Sequence, residues 1–152
     1  MKEFTVEEII KFSQTIEEES YKFYNSAKEK FSDEDIKKLL EELAEAEIGH
    51  LNRLRALLKE NKLSEADLKE KVQLDDTGYD SIVRTEVIPN NATSLDVLNV
   101  ALKREEKTAN TYKMLLNFSN LSDEILDVFE YLTAQEEGHA KIIENKISRL
   151  NG

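Results

Sequence analysis

Glu47-Ile48-Gly49-His50 and Glu136-Glu137-Gly138-His139 nearly repeat each other, and they contain both histidines of this 152-residue chain. Each reads Glu-x-x-His with glycine ahead of the histidine, inside a stretch rich in helix formers. Residues three apart on a helix share a face, so each motif aims a carboxylate and an imidazole at one point. Two such motifs on facing helices would make a metal-binding centre.

The sequence around the motifs predicts four long helices. Thr5 followed by Glu8 is a capping box that opens the first, over residues 5–30. Ser32, followed by three acidic residues, opens a second over 32–60. Thr93 or Ser94, after Pro89 and two asparagines, starts a third that ends near residue 118. Ser122, followed by Asp123 and Glu124, starts a fourth that continues to residue 150. The first and third connections are short, so the helices should pair as antiparallel hairpins. Residues 61–93 are polar, with a short helix expected from Ser64 to Lys71 and a turn at Thr77-Gly78. A helix of about 26 residues is roughly 39 Å long, and a connection of this length can cross it end to end. The second and third helices would then run parallel. The fold class expected is all-α, one four-helix-bundle domain over residues 1–152.

A bundle helix keeps apolar residues three and four apart. The second helix has Ile36, Leu40 and Leu43, then Glu47 and His50, then Leu54 and Leu57. The fourth has Ile125, Phe129 and Leu132, then Glu136 and His139, then Ile143, Ile147 and Leu150. The third runs Leu95, Leu98, Leu102, Glu105, Ala109, Tyr112, Leu116, and the first Ile10, Ser13, Glu17, Ser20, Tyr24, Ala27, Phe31. Each buried line is broken near its middle by a glutamate. Glu106 competes with Glu105 for the third helix, and Glu18 and Glu19 with Glu17 for the first; the stripe and the seven-residue spacing to a tyrosine favour Glu105 and Glu17. Carboxylates carried into an apolar interior lose hydration worth several kcal/mol each and repel one another. Two divalent cations would balance four glutamates, and carboxylate with some imidazole suits iron or manganese, with zinc a further candidate.

The halves of the chain match. Glu105 follows Glu17 by 88 residues and Tyr112 follows Tyr24 by 88, while Glu136 follows Glu47 by 89 and His139 follows His50 by 89. A duplicated helical hairpin explains this spacing and implies a pseudo-twofold axis through the centre.

Composition narrows the function further. The net charge of −11 argues against nucleic acid and anionic membrane surfaces as partners. With no cysteine there is no disulfide, thiolate zinc site or iron–sulfur centre. The segment Met1-Lys2-Glu3-Phe4-Thr5 lacks the apolar run of a signal peptide, and no 18-residue apolar stretch occurs, so a cytoplasmic location is expected.

On Glu17 with Phe23-Tyr24, Glu105 with Tyr112, and the two Glu-x-x-His motifs, the chain resembles the ferritin-like di-iron carboxylate superfamily, and within it the rubrerythrin-type proteins. The resemblance implies two iron ions per chain, Glu17 and Glu105 as terminal ligands, Glu47 and Glu136 as bridges, and one of His50 and His139 on each ion. It implies that the hydroxyls of Tyr24 and Tyr112 orient ligand carboxylates. It departs from rubrerythrins proper in having no rubredoxin domain, so electrons would come from a separate, rubredoxin-like donor. Many family members carry a further glutamate one turn after the third-helix ligand, where this chain has Thr108 or Lys107. The activity implied is reduction of hydrogen peroxide or dioxygen; ferroxidase chemistry and an acidic interaction protein with redox-silent metal are the alternatives. Phe4, Phe12, Phe118 and Tyr131, off the main stripe, could support a homodimer.

Overall fold

The computed structural model describes residues 2–59, 62–74 and 88–151. Strand β1 (Lys2–Thr5) leads into helix α1 (Val6–Lys28), followed by α2 (Glu34–Lys59), the short α3 (Glu65–Lys69), strand β2 (Lys71–Leu74), α4 (Ser94–Leu115) and α5 (Asp123–Asn151). The four long helices are those expected. They pack as two hairpins, α1 on α2 and α4 on α5, in the arrangement of a ferritin-like four-helix bundle.

Local chemistry sets the helix starts. Thr5 Oγ1 accepts from the Glu8 N–H while the Glu8 carboxylate accepts from the Thr5 N–H, the reciprocal bonds of a capping box. Thr93 with Asp96 and Ser64 with Asp67 repeat that device at α4 and α3. At α2 the capping residue is Asp33 rather than Ser32. Its Oδ1 accepts from the N–H groups of Asp35 and Ile36, and a carboxylate meets the positive end of the helix better than a hydroxyl. Ser122 opens α5 as expected, its Oγ accepting from the Ile125 N–H.

Two features depart from the expected pattern. First, β1 and β2 form an antiparallel ribbon, with Phe4 opposite Val72 and Lys2 opposite Leu74. Val72 and Leu74 point into the core while Lys71 and Gln73 face water. The Val6 N–H donates to the Glu70 carbonyl, and Asn120, between α4 and α5, donates to the Glu70 side chain, so the ribbon closes one end of the bundle. Second, the buried face of α4 is rotated. Leu95, Leu102 and Leu116 are only partly buried, while Val97, Ala101, Arg104, Thr108 and Leu115 are buried. On α5, Leu150 is 45% exposed and lies outside the core.

The core falls into two apolar clusters. One, at the ribbon end, joins Ile10, Leu54, Leu57, Val72, Leu74 and Phe129; the other joins Phe23, Leu40, Leu43, Leu98, Ala101 and Ile143. Leu74 belongs to the first cluster and Ile88 packs on the second, so the crossover carries the chain from one end of the bundle to the other. The expected turn at Thr77-Gly78 lies outside the described residues. Tyr24 reaches Glu105 and Tyr112 reaches Glu17, a cross-pairing that requires α1 and α4 to be antiparallel. With α1 and α2 also antiparallel, α2 and α4 run parallel, as the long connection predicts.

Candidate metal centre

Between the two apolar clusters the core turns polar. Glu17, Glu47, Glu105 and Glu136 are each no more than 2% exposed, and His50 is equally buried. The six residues form two overlapping groups: Glu17, Glu47, His50 and Glu136 in one, and Glu47, Glu105, Glu136 and His139 in the other. Within each group, one candidate ligand atom from each residue lies within 4.8 Å of the rest. Glu47 and Glu136 belong to both groups, and each histidine to one. Glu18 and Glu106 are exposed and Glu19 is half-buried, whereas Glu17 and Glu105, which the stripe and the tyrosine spacing favour, are buried.

The distances show the twofold relation that the repeat implies. His50 Nδ1 stands 2.8 Å from Glu136 Oε1 and 3.4 Å from Glu17 Oε2. His139 Nδ1 stands 3.7 Å from both Glu47 Oε1 and Glu105 Oε1. The imidazoles stack at 5.7 Å between centroids. The Tyr24 hydroxyl donates to Glu105 Oε1 at 2.6 Å, and the Tyr112 hydroxyl donates to Glu17 Oε1 at 2.7 Å. Each tyrosine therefore holds the glutamate of the other half of the chain.

These donors are poorly satisfied by the protein itself. Glu17 Oε2, both oxygens of Glu47, both ring nitrogens of His50, Glu105 Oε2, Glu136 Oε1 and His139 Nδ1 are buried without a hydrogen-bond partner. Even the 2.8 Å approach of His50 to Glu136 is misaligned for an N–H bond. Buried polar atoms are rarely left this way, and so many converging on one point fit a cation. The donor set, hard carboxylates with two imidazoles, suits a pair of divalent metal ions.

Electrostatics agree. Burial, and then the charges of Glu17 and Glu105, push Glu47 well above the usual carboxylate range. Burial, followed by Glu105, Glu47 and Glu17, does the same to Glu136. Burial also acts to raise Glu105, but the neighbouring Glu136 and His139 side chains and the Tyr24 hydroxyl outweigh it and hold Glu105 low. Without metal, Glu47 and Glu136 therefore hold their protons to higher pH than free carboxyls do. Both tyrosines are driven well upward, by burial first and then by neighbouring carboxylates, so they remain hydrogen-bond donors.

With this geometry in place, the similarity to known proteins is specific. Residues 2–75 match the Rubrerythrin family. That stretch holds β1, α1, α2, α3 and β2, and with them Glu17, Tyr24, Glu47 and His50. Glu105, Tyr112, Glu136 and His139 lie beyond the match and are tied to the centre by the distances above. Comparison with curated proteins and with solved structures gave no match.

One charged residue beside the centre was not anticipated. Arg104 is 7% exposed, donates to Ser20 Oγ at 3.1 Å, and lies over the Phe23 ring at 5.1 Å. Its charge partly opposes the rise at Glu47. The signal available was the second line of α4, Val97, Ala101, Arg104, Thr108, whose small residues mark a helix contact. No helix among the described residues is long and apolar enough to cross a membrane.

Proposed function

We propose that the chain is a non-haem di-iron oxidoreductase that reduces hydrogen peroxide or dioxygen at a carboxylate-bridged centre. The observation that carries this reading is the overlap of two four-residue groups at Glu47 and Glu136. Glu17 and Glu105 would be terminal ligands, Glu47 and Glu136 bridges, and His50 and His139 one ligand each. A pair of reduced irons held by these residues would supply two electrons together to an oxidant.

The chain's own residues set the conditions for that chemistry. Tyr24 and Tyr112 fix the orientation of the terminal carboxylates through short, charge-assisted hydrogen bonds. The apolar clusters above and below exclude bulk water. The His139 side chain is 13% exposed, against 3% or less for the other candidate ligands paired with the histidines, so a small oxidant would approach from its side. The electrons come, in this reading, from a separate rubredoxin-like donor, and the protein works in the cytoplasm.

Anaerobic loading with ferrous iron, followed by hydrogen peroxide, tests the proposal. About two irons per chain and an optical change on oxidation are expected, and Glu47→Ala or Glu136→Ala should lose the metal pair. Retention of full metal content by those variants would refute the ligand assignment. Oxidation by dioxygen with accumulation of ferric product, rather than turnover with a donor, would identify a ferroxidase. Tight but redox-silent metal would point instead to a structural role.

A further inference from the structure

Arg104 immediately precedes Glu105 on α4 and is not one of the six candidate ligands, yet it too is buried. A cation taken out of water loses much hydration, so a guanidinium is carried inside only where the surroundings hold it. Here Nη2 donates to Ser20 Oγ on α1 at 3.1 Å, and the guanidinium carbon lies 5.1 Å from the centroid of the Phe23 ring, within reach of a cation–π contact. Phe23 meets Tyr24 edge-on at 5.3 Å, and the Tyr24 hydroxyl donates to Glu105. Guanidinium, two rings and carboxylate thus form one packed chain that returns to the residue after Arg104.

The repeat shows that packing alone does not demand this charge. At the 88-residue offset between α1 and α4, Arg104 corresponds to Ile16, Ser20 to Thr108 and Phe23 to Thr111. Ile16 is fully buried, and both threonines are buried as well. An aliphatic side chain therefore fills the matching place one residue before Glu17. The candidate ligands are the same in both halves, a lone Glu and a Glu-x-x-His in each, whereas this neighbour is an apolar group in one half and a permanent cation in the other.

A guanidinium keeps its charge at any pH the fold survives, and inside a protein little water screens it. Its influence reaches the bridging candidate Glu47, whose carboxyl it draws downward against burial and the other glutamates. Toward metal ions the same charge acts in the opposite sense. It opposes further positive charge in the centre, so it loosens the second divalent ion, and it opposes a trivalent ion more than a divalent one. Between ferrous and ferric iron that difference is a reduction potential, which a neighbouring cation raises.

We propose that Arg104 is a positioning residue that sets the charge balance of the centre, favouring divalent over trivalent metal and loosening the second ion. The inference rests on the di-metal reading above. Its test compares the full chain with Arg104→Met and Arg104→Lys in two measurements: optical redox titration of iron-loaded protein, and calorimetric titration with Co2+. Arg104→Met should lower the midpoint potential by about 59 mV, a tenfold change for one electron, and tighten the second Co2+ about tenfold. Arg104→Lys, which keeps the charge without the planar fork, should stay within about threefold of the unaltered chain in both. Potential and Co2+ affinity that do not move in Arg104→Met would overturn the proposal. So would a lysine variant that shifts as far as the methionine variant, because shape rather than charge would then be at work. If Arg104→Met fails to fold, Arg104→Gln removes the same charge and is read in the same way. Iron that binds without any redox transition in the unaltered chain would refute the oxidoreductase reading, and the Co2+ comparison would still decide the effect of the charge.

Discussion

Filling the centre with divalent cations near neutral pH should expel about two protons per chain. Burial and neighbouring charges hold Glu47 and Glu136 well above the usual carboxylate range, so both keep their protons to higher pH than free carboxyls. Glu105 is held low and contributes none. A metal ion needs the deprotonated oxygens, so binding must displace both protons. Each proton released makes apparent affinity rise about tenfold per pH unit, and two make it about a hundredfold. Calorimetric titration with Co2+ at pH 7, in two buffers of different ionisation enthalpy, reads the proton count directly. Glu136→Gln should lower the count by about one. The same linkage fixes the pH dependence of the metal-free fold. A carboxyl with a raised folded pKa binds its proton more tightly folded than unfolded. Its stabilising contribution is therefore full below the ordinary carboxylate range and is lost as pH rises through the raised value. Each group contributes a slope of at most about 1.4 kcal/mol per pH unit, so metal-free protein should melt higher at pH 5.5 than at pH 7.5. Metal affinity that is flat between pH 6 and 8, or fewer than about half a proton released, would refute the protonated-core reasoning.

Tyr112→Phe removes the 2.7 Å hydrogen bond to Glu17, and a bond to a charged group contributes about 1.5–3 kcal/mol. Metal affinity should fall by about tenfold or more in Co2+ titrations, with the helical circular dichroism unchanged. Glu136→Leu should raise the denaturation midpoint of metal-free protein at pH 7.5 by about 1 kcal/mol or more, since it removes a buried ionisable group, while metal content drops. A lowered midpoint would contradict the strained-cluster picture. Leu54→Ala, fully buried one turn beyond His50, should cost about 2–5 kcal/mol in urea denaturation and leave two metal ions per chain at low temperature.

The centre was legible because its residues violate the pattern around them. Along α2 every predicted line residue from Ile36 to Leu57 is buried, and only Glu47 and His50 break its apolar character. A carboxylate cannot occupy that line without compensation, so the sequence marks both the buried face and the place where its core turns polar. On α4 the same reasoning found Glu105 and Tyr112 but chose the wrong flank. Leucines outnumber the small residues there, and the prediction followed Leu95, Leu102 and Leu116, whereas the bundle packs Ala101, Arg104 and Thr108 inward. On that flank Arg104 reaches across to Ser20 of α1, and periodicity alone does not measure interhelical distance. The ribbon was missed for another reason. Lys71-Val72-Gln73-Leu74 alternates as a strand should, but four residues are too few to outweigh a polar setting, and the partner strand lies 69 residues earlier at Lys2–Thr5.

Duplication accounts for the spacing of the site, and the structure shows why neither hairpin completes it. The first hairpin supplies Glu17, Glu47 and His50, and the second supplies Glu105, Glu136 and His139. Each bridging candidate is shared across the seam: Glu136 stands nearest His50, and Glu47 approaches His139. The tyrosines make the dependence mutual, because Tyr24 orients Glu105 and Tyr112 orients Glu17. A hairpin packed without its counterpart would bury two carboxylates with one imidazole and no hydroxyl to hold the terminal glutamate. Pairing of the halves and assembly of the polar core are therefore one event, and damage in one half should be felt in the other. Tyr24→Phe, on α1, should loosen the position built around Glu105 and His139, while His50→Ala should weaken the position built around Glu17. Metal titrations of the two variants that lose the same position would break the crossed arrangement on which the twofold centre rests.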